Sequence, residues 1–182
     1  IILTEKLSLP NYYDEFSKQF PFELTDDQDT AINDIISDLE TGKLMDRLIC
    51  GDVGFGKTEV ALRASFIVAN SGYQVALVAP PTILVKHHIK SFKSRFKNTT
   101  VKVVGLSRMT NNKDRLIIKA GLKSGDINIV IGTHALLSND VDFNNLGLLV
   151  IDEEQHFGVG QKEKIKELQG DIHVLTLTAT PI

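Results

Sequence analysis

The chain has 182 residues, of which 42% are hydrophobic and 24% are charged, and its formal net charge at pH 7 is −3. These values are ordinary for a globular protein of about one domain, and they exclude a disordered or collagen-like chain. The single cysteine, Cys50, cannot form an internal disulfide bond, and no run of about 18 apolar residues is present to span a membrane. We therefore expect a cytoplasmic protein without a membrane partner. Because the chain starts at Ile1 without a methionine and stops at Ile182, just past a proline, we also expect it to be a piece of a longer protein.

The small net charge hides an uneven distribution of charge along the chain. Between Val60 and Lys113 there are nine lysines and arginines and no acidic residue, so all 23 acidic residues lie elsewhere. Such a basic segment in an acidic chain is typical of a surface that faces a polyanion, although the same side chains could simply be solvated. Four of the lysines are spaced so that they would line one face of a helix: Lys86, Lys90, Lys93 and Lys97.

In chain order, short β-rich segments alternate with helical ones. Residues 1–24 are expected to be an irregular flanking segment, and helical spacing begins after Thr25 and is expected to end at Gly42. Further helices are predicted at about 57–70, 82–96, 111–123 and 161–169. Strands are predicted at 48–50, 75–79, 101–106, 127–131, 148–151 and 174–178, with Cys50 buried in the first. Apolar strands separated by helices favour an α/β fold, with a central, mostly parallel sheet and helices on both faces.

Residues 51–58 fit the pattern G-x-x-x-x-G-K-[ST] and stand between a predicted strand and a predicted helix. The backbone N–H groups of such a loop and the amino terminus of the following helix bind phosphates. Lys57 would reach the β- and γ-phosphates, and the Thr58 hydroxyl would bind Mg²⁺. The sequence therefore predicts a nucleotide site formed by Gly51, Asp52, Val53, Gly54, Phe55, Gly56, Lys57 and Thr58.

A second candidate motif, Asp152-Glu153-Glu154-Gln155, follows the predicted strand 148–151. An Asp at the carboxyl end of a buried parallel strand is well placed for a second magnesium contact, so Asp152 is predicted to bind the metal together with Thr58. Glu153, the next residue, is placed to orient or deprotonate an attacking water molecule. An exposed acidic turn after a strand is the alternative interpretation.

Phe22 and Gln28 are candidates for binding the base of the nucleotide. A purine needs an apolar or aromatic surface to stack on, and an amide can read its edge. However, Thr25-Asp26-Asp27-Gln28 is also a capping box for the helix that follows. The two roles of Gln28 are compatible if the cap positions the amide.

Together the motifs resemble those of superfamily 2 helicases and translocases. The phosphate loop, the Asp-Glu-Glu-Gln string and Thr178-Ala179-Thr180-Pro181 are similar to motifs I, II and III of that superfamily. Longer strings, at residues 20–28, 45–61 and 157–159, are similar to the family of bacterial transcription-repair coupling factors. Fork-reversal helicases share the 157–159 string Phe-Gly-Val and the Thr-Ala-Thr-Pro string, whereas Phe55 and Thr58-Glu59 favour the coupling factors. The resemblance implies that residues 25–182 form the first RecA-like motor lobe, a P-loop NTPase domain, and that the second RecA-like lobe lies outside this chain.

The resemblance further implies a translocase that uses ATP and Mg²⁺ to move on double-stranded DNA, displaces stalled RNA polymerase and couples transcription to nucleotide excision repair. Lys57, Asp152 and Glu153 would then support hydrolysis, and Gln155 would sense the γ-phosphate. The implied contacts to DNA are Pro80, Thr82, His88, Ser107, Arg108, Gly132, Thr133 and His134. The motor lobe of a fork-reversal DNA helicase is the alternative within the same superfamily.

The resemblance also implies a role for the motif at residues 178–181 and a need for the second RecA-like lobe outside this chain. Thr178, Ala179 and Thr180 would couple the nucleotide state to the grip on DNA. RNA polymerase and excision-repair proteins would bind through regions outside this chain, and the chain itself is expected to be a monomer. An arginine finger and the second lobe would complete the active site, so the 182-residue chain alone is expected to bind ATP and hydrolyse it very poorly.

Two classes outside the motor proteins remain as alternatives. A small GTPase-type switch needs an Asn-Lys-x-Asp base reader, and the similar string Asn-Lys-Asp-Arg at 112–115 lacks the final Asp. A binding module with a vestigial nucleotide site is the other alternative. It conflicts with the intact Lys57, Thr58, Asp152 and Glu153.

Overall fold

The computed structural model describes residues 5–51, 55–81 and 83–179, with Phe55 described by its backbone alone. Its strands are β1 Asp46–Cys50, β2 Gln74–Val78, β3 Val103–Leu106, β4 Ile129–Gly132, β5 Leu146–Asp152 and β6 His173–Thr178. Its α-helices are α1 Tyr13–Lys18, α2 Asp26–Thr41, α3 Phe55–Asn70, α4 Ile83–Arg95, α5 Asn112–Ser124 and α6 Val159–Leu168. Two short 3₁₀ helices, His134–Leu137 and Glu154–His156, follow β4 and β5.

The six strands form one sheet in the order β1-β6-β5-β2-β4-β3, and every neighbouring pair is parallel. The predicted α/β fold is therefore confirmed. Because parallel strands point in one direction, the loops that follow all six strands emerge at the same edge, which we call the carboxyl edge. The strand order divides this edge into a phosphate-loop half, at β1, β6 and β5, and a basic half, at β2, β4 and β3.

Helices cover both faces of the sheet. The core on one face includes side chains of α1, α2, α3 and α4, and the core on the other face includes those of α5 and α6. Successive residues of β5 enter opposite cores: Leu148 and Val150 enter the first, and Leu149 and Ile151 the second. Because both of its faces are buried, this strand is a continuous apolar run in the sequence.

Helix α2 begins and ends as the sequence predicts. The Thr25 hydroxyl accepts a hydrogen bond from the Gln28 backbone N–H at 3.2 Å, and Gln28 Oε1 accepts one from the Thr25 N–H at 2.9 Å. This is the predicted capping box. The helix ends at Gly42, whose φ of 76° lies in the left-handed region that favours glycine.

Two predictions about the first fifty residues are wrong. Residues 1–24 are not irregular throughout, because Tyr13–Lys18 form α1 and Phe16 stacks on Phe66 of α3 with ring centroids 4.2 Å apart. Cys50 is exposed rather than buried. The reason is that β1 is an edge strand whose side chains alternate between exposed and half-buried positions.

A buried ionic cluster joins helices α1, α3 and α4. The Glu59 side chain, 1% exposed, accepts a hydrogen bond from Arg63 Nε at 2.6 Å and also pairs with Arg95. Arg95 donates to the Phe16 carbonyl oxygen at 2.7 Å, and its guanidinium lies 4.4 Å from the centre of the Phe16 ring. Glu59 thus fixes the first turns of α3, the helix that follows the phosphate loop, to two neighbouring helices.

His173 joins strand β6 to the segment that enters β1. Its Nδ1 accepts a hydrogen bond from the Met45 backbone N–H at 3.0 Å, and its side chain is fully buried. Burial lowers the pKa of His173 from 6.5 to about 4. In the described part of the chain, no helix is both long enough and apolar enough to cross a membrane.

Candidate nucleotide and DNA sites

Two cavities at the carboxyl edge contain many of the predicted site residues. The phosphate-loop cavity, of about 500 Å³, is lined by residues that include Lys57, Thr58, Ile83, His88, Asp152 and Glu153. The basic cavity, of about 430 Å³, is lined by residues that include Pro81, Ile83, Lys86, Ser107, Arg108 and Thr133. Ile83, the first residue of α4, lines both cavities, so the start of this helix separates them.

Thr58 and Asp152 line the same cavity but belong to different elements of the fold. Thr58 lies in the first turn of α3, and Asp152 is the last residue of β5. The Asp152 Oδ2 atom lies 2.7 Å from His88 Nε2, and no described residue hydrogen-bonds its Oδ1 atom. A hydroxyl and a carboxylate are the hard oxygen ligands that magnesium prefers, with phosphate oxygens and water completing its shell. The two residues therefore fit the predicted magnesium site.

Glu153 is held by contacts on several sides. Its backbone is left-handed, with φ 54° and ψ 55°, a conformation of no other non-glycine residue that the structure describes. Its N–H donates to the Leu177 carbonyl oxygen at 3.0 Å, and Oε1 accepts from the Ala179 N–H at 3.1 Å. The same Oε1 lies 3.7 Å from Lys57 Nζ, and Gln155 Nε2 donates to Oε2. Glu153 therefore connects the phosphate loop with the end of β6.

The side chain of Gln28 reaches the start of α3. The capping box uses its Oε1, and a Cβ atom added to Gly56 would lie 1.9 Å from its Nε2. The glycine at position 56 therefore leaves room for the amide beside the phosphate loop. Phe22 is 56% exposed. This arrangement is compatible with both roles of Gln28, and the contact of Phe22 and Gln28 with adenine stays a prediction.

The basic cavity presents one cationic side chain from helix α4 and one from the loop between β3 and α5. Arg108 and Lys86 are exposed, and neither has an ion-pair partner among the residues that the structure describes. The turn that carries Arg108 is fastened by Arg115, which donates to the Ser107 carbonyl oxygen at 2.8 Å and to that of Thr110 at 3.1 Å. This role of Arg115 could not be predicted from the sequence, because the residue pattern of α5 does not indicate where the arginine side chain points.

Three of the predicted contacts to DNA need correction, because the structure buries them and they do not line the basic cavity. Pro80, two residues after the end of β2, is buried. Gly132 is buried in β4, where an added Cβ would lie 2.3 Å from the Leu106 carbonyl oxygen, so its role is to let β3 and β4 approach. His88 is 2% exposed and contacts Asp152 in the phosphate-loop cavity. These residues are not accessible to a DNA backbone.

The other predicted contacts differ in exposure. Ser107 is half-buried and His134 is exposed. Thr133 lines the basic cavity but is 4% exposed, and its hydroxyl accepts a 3.4 Å hydrogen bond from the Ala135 N–H. In the predicted coupling segment, Thr178 is buried and Ala179 is half-buried. The predicted site residues that lie outside the described residues are Asp52, Val53, Gly54, Thr82 and Thr180, together with the side chain of Phe55.

A fully parallel sheet with a Gly-x-x-x-x-Gly-Lys-Thr loop after its first strand and an acidic pair after β5 defines a nucleotide-binding domain of the RecA-like α/β class. The family model described as DEAD/DEAH box helicase matches residues 25–182. The chain therefore belongs to the DEAD/DEAH box helicase family.

Within this family, the chain is similar to transcription-repair-coupling factors, which confirms the predicted resemblance. It is 49% identical to that of Escherichia coli over 170 residues, covering 93% of this chain and 15% of that protein. It is 55% identical to that of Haemophilus influenzae, with the same coverage, and 52% identical to that of Bacillus subtilis, covering 92% of this chain and 14% of that protein. The chain thus spans about one seventh of the length of these relatives.

A solved structure of RecG bound to a three-way DNA junction is also similar. Its TM-score is 0.83 and its sequence identity 37%, over 100% of this chain and 24% of that chain. The similarity supports the RecA-like fold.

Proposed function

We propose that this chain is the ATP-binding motor lobe of a double-stranded DNA translocase that displaces stalled RNA polymerase and couples transcription to nucleotide excision repair. The observation that carries the proposal is the division of the carboxyl edge into two cavities, one beside the phosphate loop and one lined by the exposed Lys86 and Arg108. The similarity to transcription-repair-coupling factors supports this choice of motor. RNA polymerase and excision-repair proteins would bind through regions outside this chain.

The phosphate-loop half would bind ATP. Lys57 would contact the β- and γ-phosphates, and Gln28, beside Gly56, would read the adenine edge with its remaining N–H donors. Thr58 and Asp152 would hold Mg²⁺, which would neutralise charge on the phosphates. The capping box supports the role of Gln28, because it fixes the amide before nucleotide arrives.

Glu153 would accept a proton from the attacking water molecule. The Ala179 N–H and the Gln155 amide both hydrogen-bond its carboxylate and so restrict its orientation. Gln155 is exposed at the edge of the site, where it could contact the γ-phosphate. Because Ala179 belongs to the Thr178–Thr180 segment, a shift of that segment would move a hydrogen bond of the hydrolytic carboxylate. This contact supports the proposed coupling role.

The basic half would bind the DNA backbone. Among the described members of the predicted set, Arg108 and His134 are exposed and Ser107 is half-buried. Lys86 joins Arg108 and Ser107 as a lining residue of the basic cavity. Arginine, lysine and hydroxyl groups contact phosphate and sugar without reading sequence. A translocase needs such contacts, because it must hold any sequence that it passes.

The motor lobe of a fork-reversal helicase is the second candidate function, and the similarity to the RecG structure favours it. The two functions can be separated with a full-length protein that carries this chain. We would measure displacement of RNA polymerase stalled by nucleotide omission, and regression of a model replication fork. The proposal expects ATP-dependent displacement, lost in Lys57→Ala and kept in Lys123→Ala, an exposed lysine in the last turn of α5. Fork regression without displacement would favour the second candidate.

A further inference from the structure

His88 contacts the nucleotide site although it comes from α4, the helix that borders the basic cavity. Its ring is 2% exposed, and its Nε2 atom lies 2.7 Å from Asp152 Oδ2, which is itself 5% exposed. The residues are 64 positions apart in the chain. Lys86, two residues earlier on the same helix, lines the basic cavity. A single turn of α4 therefore presents one side chain to each half of the carboxyl edge.

The chemistry of this contact favours a fixed geometry. When His88 Nε2 carries the proton, its N–H can donate a hydrogen bond to the Asp152 carboxylate. The other ring nitrogen, Nδ1, is buried and has no hydrogen-bond partner among the residues that the structure describes. A proton on Nδ1 would be a buried donor without an acceptor, which is unfavourable. The tautomer with its proton on Nε2 therefore fits the site, and it holds Asp152 Oδ2 in one position.

We propose that His88 is a positioning residue, which occupies Oδ2 of Asp152 and thereby directs Oδ1 of the same carboxylate toward the magnesium ion of bound ATP. This inference rests on the proposed function, because it assumes that Asp152 binds magnesium. Groups that hydrogen-bond a metal-binding carboxylate orient it, and removing them commonly weakens metal binding. His88 also fixes β5 to α4, so the position of the metal-binding carboxylate depends on the helix that borders the basic cavity.

The test measures magnesium dependence of ATP binding, not hydrolysis. Calorimetry on the 182-residue chain would give the ATP affinity in EDTA and at a series of Mg²⁺ concentrations. We expect His88→Ala to raise the Mg²⁺ concentration for half-maximal enhancement of binding by about tenfold or more, and to leave the affinity in EDTA unchanged. His88→Gln, whose amide can still donate to Asp152, should restore most of the magnesium dependence.

A destabilised control separates positioning from a general structural role. Phe92→Leu alters a fully buried residue of the same helix that does not contact Asp152, and it should lower thermal stability without changing magnesium dependence. If His88→Ala shifts magnesium dependence no more than Phe92→Leu, or if His88→Gln fails to restore it, the role of His88 is overturned. If the wild-type chain binds no ATP with or without Mg²⁺, the proposed function fails, and this inference fails with it.

Discussion

The two halves of the carboxyl edge use charged side chains in opposite ways. In the phosphate-loop half, the carboxylates contact other polar side chains: Glu153 is 3.7 Å from the Lys57 ammonium, and Asp152 is 2.7 Å from His88 Nε2. In the basic half, Arg108 and Lys86 are exposed and have no ion-pair partner within the described ranges. A site for chemistry needs groups with fixed orientations, whereas a surface that slides along a polyanion needs accessible charge.

This difference predicts two kinds of mutational effect. Changes in the phosphate-loop half should cause large, specific losses, because each group depends on a partner. Changes in the basic half should cause small losses that depend on salt concentration, because each cation contributes separately. The predictions that follow test this contrast, beginning with the largest expected effect.

Removing the buried negative charge of Glu59, in the first turns of α3, should have the largest effect on the free energy of unfolding. Glu59→Gln leaves Arg63 and Arg95 without their buried carboxylate, so we expect the free energy of unfolding to fall by about 3–5 kcal/mol. Urea denaturation would measure the change. Glu163→Gln, an exposed glutamate of α6, is the matched control and should stay close to wild-type. A loss below about 1 kcal/mol would mean that the cluster does not hold α3 in place.

Replacing Glu153, the proposed proton acceptor, should slow ATP hydrolysis and leave ATP binding nearly unchanged. In a full-length protein that carries this chain, Glu153→Gln should lower DNA-stimulated ATP hydrolysis about 100-fold or more. ATP affinity should stay close to wild-type, because the amide oxygen can still accept from the Ala179 N–H. Glu154→Gln, the neighbouring residue, is the control. Unchanged hydrolysis in Glu153→Gln would remove this residue from the mechanism and favour a binding module.

Acid should destabilise the folded chain through His173, which lies at the start of β6, at the edge of the sheet opposite the carboxyl edge. The unfolded chain gains a proton at His173 as the pH falls through 6.5, whereas the folded protein gains it only near pH 4. Stability is therefore lost as the pH falls through this window, at up to about 1.4 kcal/mol per pH unit. Urea denaturation at several pH values should show a weaker pH dependence in His173→Asn, whose Oδ1 can still accept from the Met45 N–H. The exposed His134→Asn should behave as wild-type, and identical pH dependence in all three proteins would contradict this role.

The smallest effect is expected in the basic half. Arg108→Ala should weaken binding of a duplex DNA of arbitrary sequence a few-fold and reduce the dependence of log Kd on log salt by about 0.9. Lys123→Ala, in the last turn of α5, should change neither. Fluorescence anisotropy at several salt concentrations would measure both quantities in a full-length protein. An unchanged salt slope in Arg108→Ala would mean that the basic cavity does not contact phosphate.

Elements whose determinants are local could be predicted from the sequence. The Thr25 cap, the Gly42 stop and the apolar run of β5 each specify their structure within a few residues. The six-residue helix α1 could not be predicted because it is too short for a periodic pattern, and the aromatic packing that stabilises it comes from Phe66 of α3 and from Phe96, the residue after α4. Cys50 was misjudged because the sequence does not reveal that β1 lies at the edge of the sheet.

The residues of the candidate sites could likewise be predicted only where their determinants are local. Lys57, Thr58, Asp152 and Glu153 could be proposed from motifs, because the carboxyl ends of parallel strands meet at one edge. The environment of His88 could not be foreseen, because its partner is 64 residues away and the motif that it resembles suggested a contact with DNA. Burial of Gly132 likewise depends on the approach of β3, which no local pattern specifies.

The central claim is that the phosphate-loop half binds Mg²⁺-ATP. Its most direct test is calorimetric titration of the 182-residue chain with Mg²⁺-ATP and Mg²⁺-GTP, using Lys57→Ala and the control Lys123→Ala. We expect binding that prefers ATP, is lost in Lys57→Ala and is kept in Lys123→Ala. Equal affinity for ATP and GTP, or undiminished binding by Lys57→Ala, would contradict it.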